Sequence, residues 1–86
     1  MSAERPLKRA DLSIDEAASG FVINDTGRGR VHYLNHTAAL IFELCDGQSS
    51  VEDIAELVRQ AFNLPESPED LVRAQVTRLT QESLVA

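Results

Sequence analysis

The chain is short of cysteine and of positive charge, and each shortage narrows the classes of protein to which it can belong. Its single cysteine, Cys45, excludes an internal disulfide. Eight lysines and arginines stand against fourteen acidic residues, which gives a formal net charge of −6. Nucleic-acid backbones are bound by clustered basic side chains, so this balance argues against nucleic acid as the main partner.

Long hydrophobic runs are also missing. No apolar stretch approaches the roughly 20 residues of a membrane helix, and the opening MSAERPLKRAD lacks the apolar centre of a signal peptide. We therefore expect a cytoplasmic protein with no membrane partner. A chain of 86 residues is expected to form one domain, 1–86, with a core of about 7–85. Domains of this size bury only about 60–65 % of their surface, which leaves little room for a deep catalytic cavity.

Residues that carry chemistry are few and scattered. Cys45 follows an apolar segment without a clear base and orienting group in the sequence, so we expect a small buried side chain rather than a nucleophile. His32 and His36 straddle a predicted strand-to-helix junction, and without a second cysteine no zinc site is expected. GRGR at 27–30 lacks the strand–loop–helix context of a phosphate loop. The sequence therefore predicts no enzyme, no metal and no cofactor.

The first half of the chain has the pattern of a β-meander. Apolar and polar residues alternate over 10–15, the spacing of a half-buried strand. A second strand is predicted at 21–23, and the turn residues of 24–27 lead toward a third strand at 31–34. These three segments predict an antiparallel sheet.

The second half predicts three helices. Asn35 is a good N-cap for a nearly all-round apolar helix that Gly47 is expected to close in a left-handed conformation. Ser50 and Asp53 begin a second, amphipathic helix. Ser67 is expected to cap a third helix over 69–82, with Pro68 at its first position. The fold class is therefore α+β, a small winged-helix-like domain in which a three-stranded antiparallel meander precedes three helices.

The two edges of the predicted sheet differ in protection. Around the first strand lie the residues that proteins use to prevent unwanted pairing, namely Pro6, Lys8, Arg9, Asp11 and Asp15. The third strand, Val31 to Leu34, has only Arg30 at its entrance. An unguarded edge indicates a docking site for an extended peptide. The alternatives, that the domain's own helices or a second copy cover this edge, stay open, and so does the oligomeric state.

The centre of the chain also resembles the PqqD family, named for the pyrroloquinoline-quinone biosynthesis protein D. Members typically show Leu-Asn-x-x-Ala, an aliphatic helix, Asp-Gly and a second amphipathic helix, which here are Leu34, Asn35, Ala38, the run from Leu40 to Leu44, Asp46-Gly47 and SVEDIAELV. The resemblance extends over roughly residues 5–85. It implies a noncatalytic recognition element that binds the leader segment of a ribosomally made precursor peptide and presents it to a radical S-adenosylmethionine enzyme or a leader peptidase.

The resemblance also implies where such a peptide would bind. In these domains the leader adds a strand to the third strand and contacts the third helix. By order of elements, the candidate peptide-binding residues are Arg30, Val31, His32, Tyr33, Leu34, Val72, Arg73, Val76, Arg78, Leu79 and Thr80. Backbone groups of the strand are expected to give sequence-independent hydrogen bonds. Apolar leader side chains are expected near Val72, Val76 and Leu79, and leader carboxylates near Arg73 or Arg78.

Two other classes remain as alternatives. The first is a winged-helix DNA-binding regulator, which the element order alone permits. The second is an acyl or peptidyl carrier protein, suggested by Asp-Gly-x-Ser before a helix. Carriers place Asp-Ser-Leu at that helix start, and DGQSSV lacks it, while Ser50 is already explained as an N-cap. The precursor and its pathway, whether pyrroloquinoline quinone, lasso peptide or another, are left open.

Overall fold

The computed structural model describes residues 5–86 and has the predicted α+β architecture. Three antiparallel strands precede three helices, with bounds β1 Ser13–Ala17, β2 Gly20–Asp25, β3 Arg30–Asn35, α1 His36–Glu43, α2 Val51–Ala61 and α3 Glu69–Gln81. The strand order in the sheet is β1-β2-β3. The first and third strands are therefore the two edges, as the meander predicts.

The sheet has one buried and one exposed face. Ile23 of β2 pairs with His32 of β3, and the neighbouring pair on the same face includes Leu34. Ile23 and Leu34 are buried in the core. Val31 and Tyr33 alternate with them and project from the outer face, where 67 % and 56 % of their surface is exposed. This alternation fixes the register, because a slip by one residue would expose the core face.

The first strand begins later than predicted. The alternation over 10–15 suggested a strand there, but β1 starts at Ser13. The preceding segment has other partners, since the Lys8 amide donates to the Cys45 carbonyl at 2.8 Å and the Arg9 amide to the Leu84 carbonyl at 3.1 Å. Long-range hydrogen bonds thus draw this segment away from the sheet.

The first helix begins as predicted and ends earlier. The Asn35 side chain accepts a hydrogen bond from the Ala38 amide at 2.9 Å, which makes it the N-cap. The helix ends at Glu43, and its C-cap, Leu44, has ordinary right-handed dihedral angles, so the prediction that Gly47 closes this helix is wrong. Gly47 does have a positive φ of 79°, but it lies in the turn beyond, where its amide donates to the Pro6 carbonyl at 2.9 Å.

Of the predicted N-caps of α2 and α3, the first is confirmed and the second is wrong. Ser50 and Asp53 form a reciprocal capping box, each side chain accepting from the other's amide at 3.1 Å. Ser67 does not cap α3, because Pro68 occupies the N-cap position itself with φ −84° and ψ 51°, and it has no side chain that can accept a hydrogen bond. Glu69 and Asp70 occupy the first turn, where carboxylates suit the positive end of the helix.

The core lies between the inner face of the sheet and the three helices. Its largest fully buried apolar side chains come from every layer and include Ile23, Ile41, Phe42, Ile54, Val58, Val72, Leu79 and Leu84. Cys45 is fully buried among them, as predicted. The tail after α3 also contributes, since Leu84 and Val85 are buried.

A buried ion pair connects three separate parts of the chain. Arg9 Nη1 donates to Asp25 Oδ2 at 2.8 Å and to the Ser83 carbonyl at 3.0 Å. Its Nε and Nη2 atoms donate to the Asp11 carboxylate at 3.0 and 2.6 Å. These hydrogen bonds raise the pKa of Arg9, and the bond to Asp11 contributes more than the bond to Asp25. Since only 1 % of the Asp25 side chain is exposed, Arg9 supplies the charge partner that a buried carboxylate requires.

Replacing Asp25 by asparagine should therefore destabilise the fold. We expect Asp25→Asn to lower the free energy of unfolding by about 2–3 kcal/mol, somewhat less than the loss of one partner from a fully buried pair, because Arg9 is partly solvated. Urea unfolding followed by circular dichroism measures this change. Asp11→Asn is the control, because it removes the exposed partner of the same guanidinium. Equal unfolding midpoints for the two variants would contradict the role given to Asp25.

A second stability test concerns Gly47. An added Cβ would lie 3.1 Å from Leu7 Cδ1 in a left-handed backbone conformation. Gly47→Ala should thus lower the free energy of unfolding by about 1–2 kcal/mol, as measured by thermal denaturation. Gly27→Ala is the matched control, because a Cβ there would meet only Asp25 Oδ1 at 3.8 Å. Equal melting temperatures for the two alanine variants would contradict the strain assigned to position 47.

Candidate functional site

A cleft of about 320 Å³ lies between β3 and α3. α3 packs against α1 and α2, and within residues 5–86 its backbone makes no close approach to β3. The cleft is lined by Val31, His32, Tyr33, Leu34, Asn35, Ala38, Gln75, Arg78 and Glu82. One side of it is thus a strand edge, and the other side is a row of polar side chains from α3 and its C-cap.

The strand side of the cleft is the uncovered edge of the sheet. β3 pairs with β2 along its whole length, from Arg30 opposite Asp25 to Asn35 opposite Gly20. In the part of the chain that the structure describes, no strand pairs with the other edge of β3. Such an edge presents unpaired backbone donors and acceptors, which an extended peptide can satisfy.

Tyr33 is held in place on the outer face of the sheet. Its hydroxyl donates to the Ser19 carbonyl at 3.1 Å and also contacts the Ser19 hydroxyl. Ser19 lies in the two-residue turn between β1 and β2. This link across the sheet ties the open edge strand to the opposite hairpin, so the edge is presented in a fixed geometry.

Three charged or titratable side chains meet at one end of the cleft. Glu82 Oε1 lies 3.8 Å from His32 Nδ1, and Glu82 Oε2 lies 4.0 Å from Arg78 Nε. Both distances are longer than a hydrogen bond. Arg78 is 72 % exposed, whereas His32 is mostly buried and its Nε2 atom has no hydrogen-bond partner among the described residues. The Arg78 guanidinium is therefore free to donate hydrogen bonds to a ligand, and the Glu82 carboxylate is free to accept them.

Some of the predicted site residues lie in the cleft and others do not. Val31, His32, Tyr33, Leu34 and Arg78 line it, and Arg30 begins the same strand. The apolar stripe of α3 does not line it, because Val72, Val76 and Leu79 are buried in the core. None of the three is among the residues that line the cleft.

Two polar residues predicted for the groove also lie elsewhere. The Arg73 guanidinium donates to Glu69 at 3.0 Å and to Glu52 of α2 at 3.2 Å, and the bond to Glu69 is the main cause that raises the pKa of Arg73. The Thr80 hydroxyl donates to the Val76 carbonyl at 2.8 Å. Thr80 lines a different recess, with Arg5, Pro6, Val76 and Ala86. Of the two predicted arginines, only Arg78 reaches the cleft.

Four lining residues were absent from the predicted set, namely Asn35, Ala38, Gln75 and Glu82. Asn35 and Ala38 were identified from the sequence only as determinants of α1. Gln75, Arg78 and Glu82 are spaced by three and four, so a helical projection that started from Arg78 would have found the other two.

The remaining candidates for chemistry are inert or dispersed. Burial raises the pKa of the Cys45 thiol to about 11, and Sγ donates to the Ile41 carbonyl at 3.2 Å. His32 belongs to β3 and His36 begins α1. Within residues 5–86, no three His, Cys, Asp or Glu side chains gather as metal ligands. None of the helices in that range is long and apolar enough to cross a membrane.

The fold and the cleft together define a small α+β domain of winged-helix-like form with an open sheet edge. The model of the family "Coenzyme PQQ synthesis protein D (PqqD)" matches residues 20–85. Because this match covers more than half of the chain, the protein belongs to the PqqD family. The membership inferred from the Leu-Asn-x-x-Ala and Asp-Gly motifs is thus confirmed.

A solved structure supports the same assignment. The chain is similar to a structure described as "Lasso peptide synthetase B1 complexed with the leader peptide", with a TM-score of 0.77 and 26 % sequence identity. The alignment covers 95 % of this chain and 98 % of that one. A search of the curated proteins gave no match.

The burial of Cys45 is open to a direct chemical test. Iodoacetamide reacts with thiolates, and a thiol with a pKa of about 11 is almost fully protonated at pH 8. We therefore expect native protein to be alkylated far more slowly than protein unfolded in guanidinium, as followed by intact mass. Equal rates in the two states would show that Cys45 is accessible and reactive.

Proposed function

We propose that this protein binds the leader segment of a ribosomally synthesised precursor peptide and presents it to a modifying enzyme, without catalysing a reaction itself. The observation that carries this proposal is the open edge of β3 beside the polar wall of α3. Membership of the PqqD family and the likeness to a protein solved with its leader peptide support the same function.

In this proposal the leader binds as an added strand. Backbone groups of Val31 to Leu34 pair with the leader backbone, which gives affinity that does not depend on the leader's sequence. Leader side chains on the inner face meet the wall formed by Gln75, Arg78 and Glu82. Selectivity then comes from that wall, since contacts between side chains discriminate among sequences.

The polar wall changes the expected chemistry of recognition. Apolar leader side chains were expected to contact the stripe of Val72, Val76 and Leu79, but the core already occupies that stripe. The side chains that α3 and its C-cap contribute to the cleft, Gln75, Arg78 and Glu82, are hydrogen-bonding or charged. We therefore place a leader carboxylate near Arg78, whose guanidinium is largely exposed.

The absence of catalysis and the enzyme partner are parts of the same proposal. A buried, protonated Cys45 is a poor nucleophile, and the cleft offers hydrogen bonds and charge for binding. A radical S-adenosylmethionine enzyme and a leader peptidase are the two partner classes that we propose. Co-purification with each enzyme encoded beside the gene distinguishes the two classes.

Amide chemical-shift mapping tests the binding mode. The probe is the synthetic leader of a short precursor encoded near the gene, titrated into ¹⁵N-labelled protein. We expect the largest shifts at Val31 to Leu34 and at residues 75–82. Shifts confined to α2, with β3 unmoved, would eliminate binding by strand addition.

A pair of arginine variants tests the charge contact. Arg78→Glu should weaken binding of a leader with an acidic recognition segment by about tenfold or more, because it replaces an exposed charge partner by a repelling one. Calorimetric titration measures the change in Kd.

Arg73→Glu is the matched control for this variant. It makes the same charge change on the same helix, but Arg73 is engaged with Glu69 and Glu52 outside the cleft. It should therefore bind the leader nearly as well as the wild-type protein. Equal losses of affinity in both variants would indicate a general effect of net charge and would refute a specific role for Arg78.

A further inference from the structure

The direction of α3 relative to β3 can be read from contacts at one end of the cleft. Glu82 lies beside His32, and the next residue, Ser83, accepts a hydrogen bond from Arg9, which also binds Asp25. Asp25 pairs with Arg30 at the start of β3. The C-terminal end of α3 therefore lies beside the N-terminal half of β3. Because Gln75, Arg78 and Glu82 all line the cleft along this strand, the helix extends from that end toward the C-terminal end of β3. The helix and the strand thus run in opposite directions along the cleft.

The spacing of the charged pair matches the repeat of an extended peptide. Arg78 and Glu82 are four residues apart, a rise of about 6 Å along a helix. Side chains i and i+2 of a strand lie on the same face, separated by about 6.7 Å. A strand added at β3 thus places two successive inward side chains level with Arg78 and with Glu82.

The direction of the added strand sets the order of those two side chains. The sheet is antiparallel throughout, and antiparallel pairing is slightly more stable per residue, so an added strand is expected to run opposite to β3. It then runs in the same direction as α3. Such a peptide passes Arg78 first and Glu82 second.

We infer that this cleft selects peptides with an acidic residue followed, two positions later, by a basic one, an acid-x-base pattern. The acidic side chain meets Arg78, and the basic side chain meets Glu82. This inference rests on the proposed function and specifies the chemistry of the peptide that the site accepts.

The surroundings of Arg78 and Glu82 favour the acid-x-base assignment. Glu82 has only long contacts, to His32 at 3.8 Å and to Arg78 at 4.0 Å, so a ligand cation can approach it without breaking a hydrogen bond. The other charges near this end are Arg30 on β3 and the cluster of Asp25 with Arg9 and Arg28, in which Arg9 also binds Asp11. Among the residues that line the cleft, Glu82 is the only one with a carboxylate.

A charge-swapped variant provides the sharpest test. Combining Arg78→Glu with Glu82→Arg keeps the net charge of −6 and retains an oppositely charged pair at i and i+4. The swapped order, acid before base, is the more favourable one in a helix. We therefore expect the variant to fold, and circular dichroism checks this. Both proteins are used as the full chain to select binders from a displayed library of random dodecapeptides.

The proposal predicts opposite preferences for the two proteins. Wild-type protein should enrich acid-x-base sequences, and the swapped variant should enrich base-x-acid. One selected peptide and its permuted form, in which only the acidic and basic residues exchange places, then give a composition-matched comparison by fluorescence anisotropy. We expect the wild-type protein to bind the selected order roughly tenfold more tightly, and the swapped variant to reverse that preference.

The outcomes separate this inference from the proposed function. Selected peptides that shift the β3 amides but show no preference for order would overturn the acid-x-base inference and leave strand addition standing. Enrichment of base-x-acid by the wild-type protein would overturn the proposed strand direction, and with it the pattern. Selected peptides that leave the β3 amides unmoved would overturn strand addition at β3, on which the proposed function rests.

Discussion

The pairing of Arg9 with the buried carboxylate of Asp25 is the constraint on which the geometry of the domain depends. Through Asp25 it holds the end of β2, and through the Ser83 carbonyl it holds the chain just after α3. The position of α3 relative to the sheet is therefore set from its C-terminal end. Because a buried carboxylate is costly without its cation, the domain cannot shift one of these segments without moving the others.

The third helix serves two purposes on two faces. Val72, Val76 and Leu79 are buried in the core, where α3 packs against α1 and α2, whereas Gln75, Arg78 and Glu82 line the cleft. Core positions tolerate little change in volume, but exposed polar positions can vary at small cost to stability. Under the proposed function, substitutions on the cleft face of α3 would change the selected peptide at little cost to the fold.

The fold was largely predictable from the sequence because its signals are local. Period-two alternation, the cap at Asn35 and the capping box of Ser50 and Asp53 each depend on residues a few positions apart. One failure was local, because Pro68 and not Ser67 holds the N-cap position of α3. Another came from long-range contacts. The start of β1 was displaced by hydrogen bonds of the preceding segment to Cys45 and Leu84.

The site was predictable in its strand half and less so in its helix half. An edge lacking protective charges can be recognised along the chain, so Val31 to Leu34, which line the cleft, could be named as candidates. Which face of α3 packs into the core depends on how the helix sits against α1 and α2. For that reason the sequence could not decide between Arg73 and Arg78, or show that the apolar stripe is consumed by packing. Glu82 was not among the predicted residues, although its spacing from Arg78 pointed to it; its contact with His32 could not be read from the sequence.

Two backbone hydrogen bonds between Leu7 and Ala86 bear on how the domain could be rejoined or inserted in engineered proteins. The Leu7 amide donates to the Ala86 carbonyl at 3.4 Å, and the Ala86 amide donates to the Leu7 carbonyl at 2.8 Å. Residues 7 and 86 are thus adjacent, and Ala86 lines a recess other than the cleft. A short linker can join these positions in a circular permutant, or both can be grafted into a surface loop of a host enzyme. The domain could in this way be inserted into a host with the open edge of β3 left free.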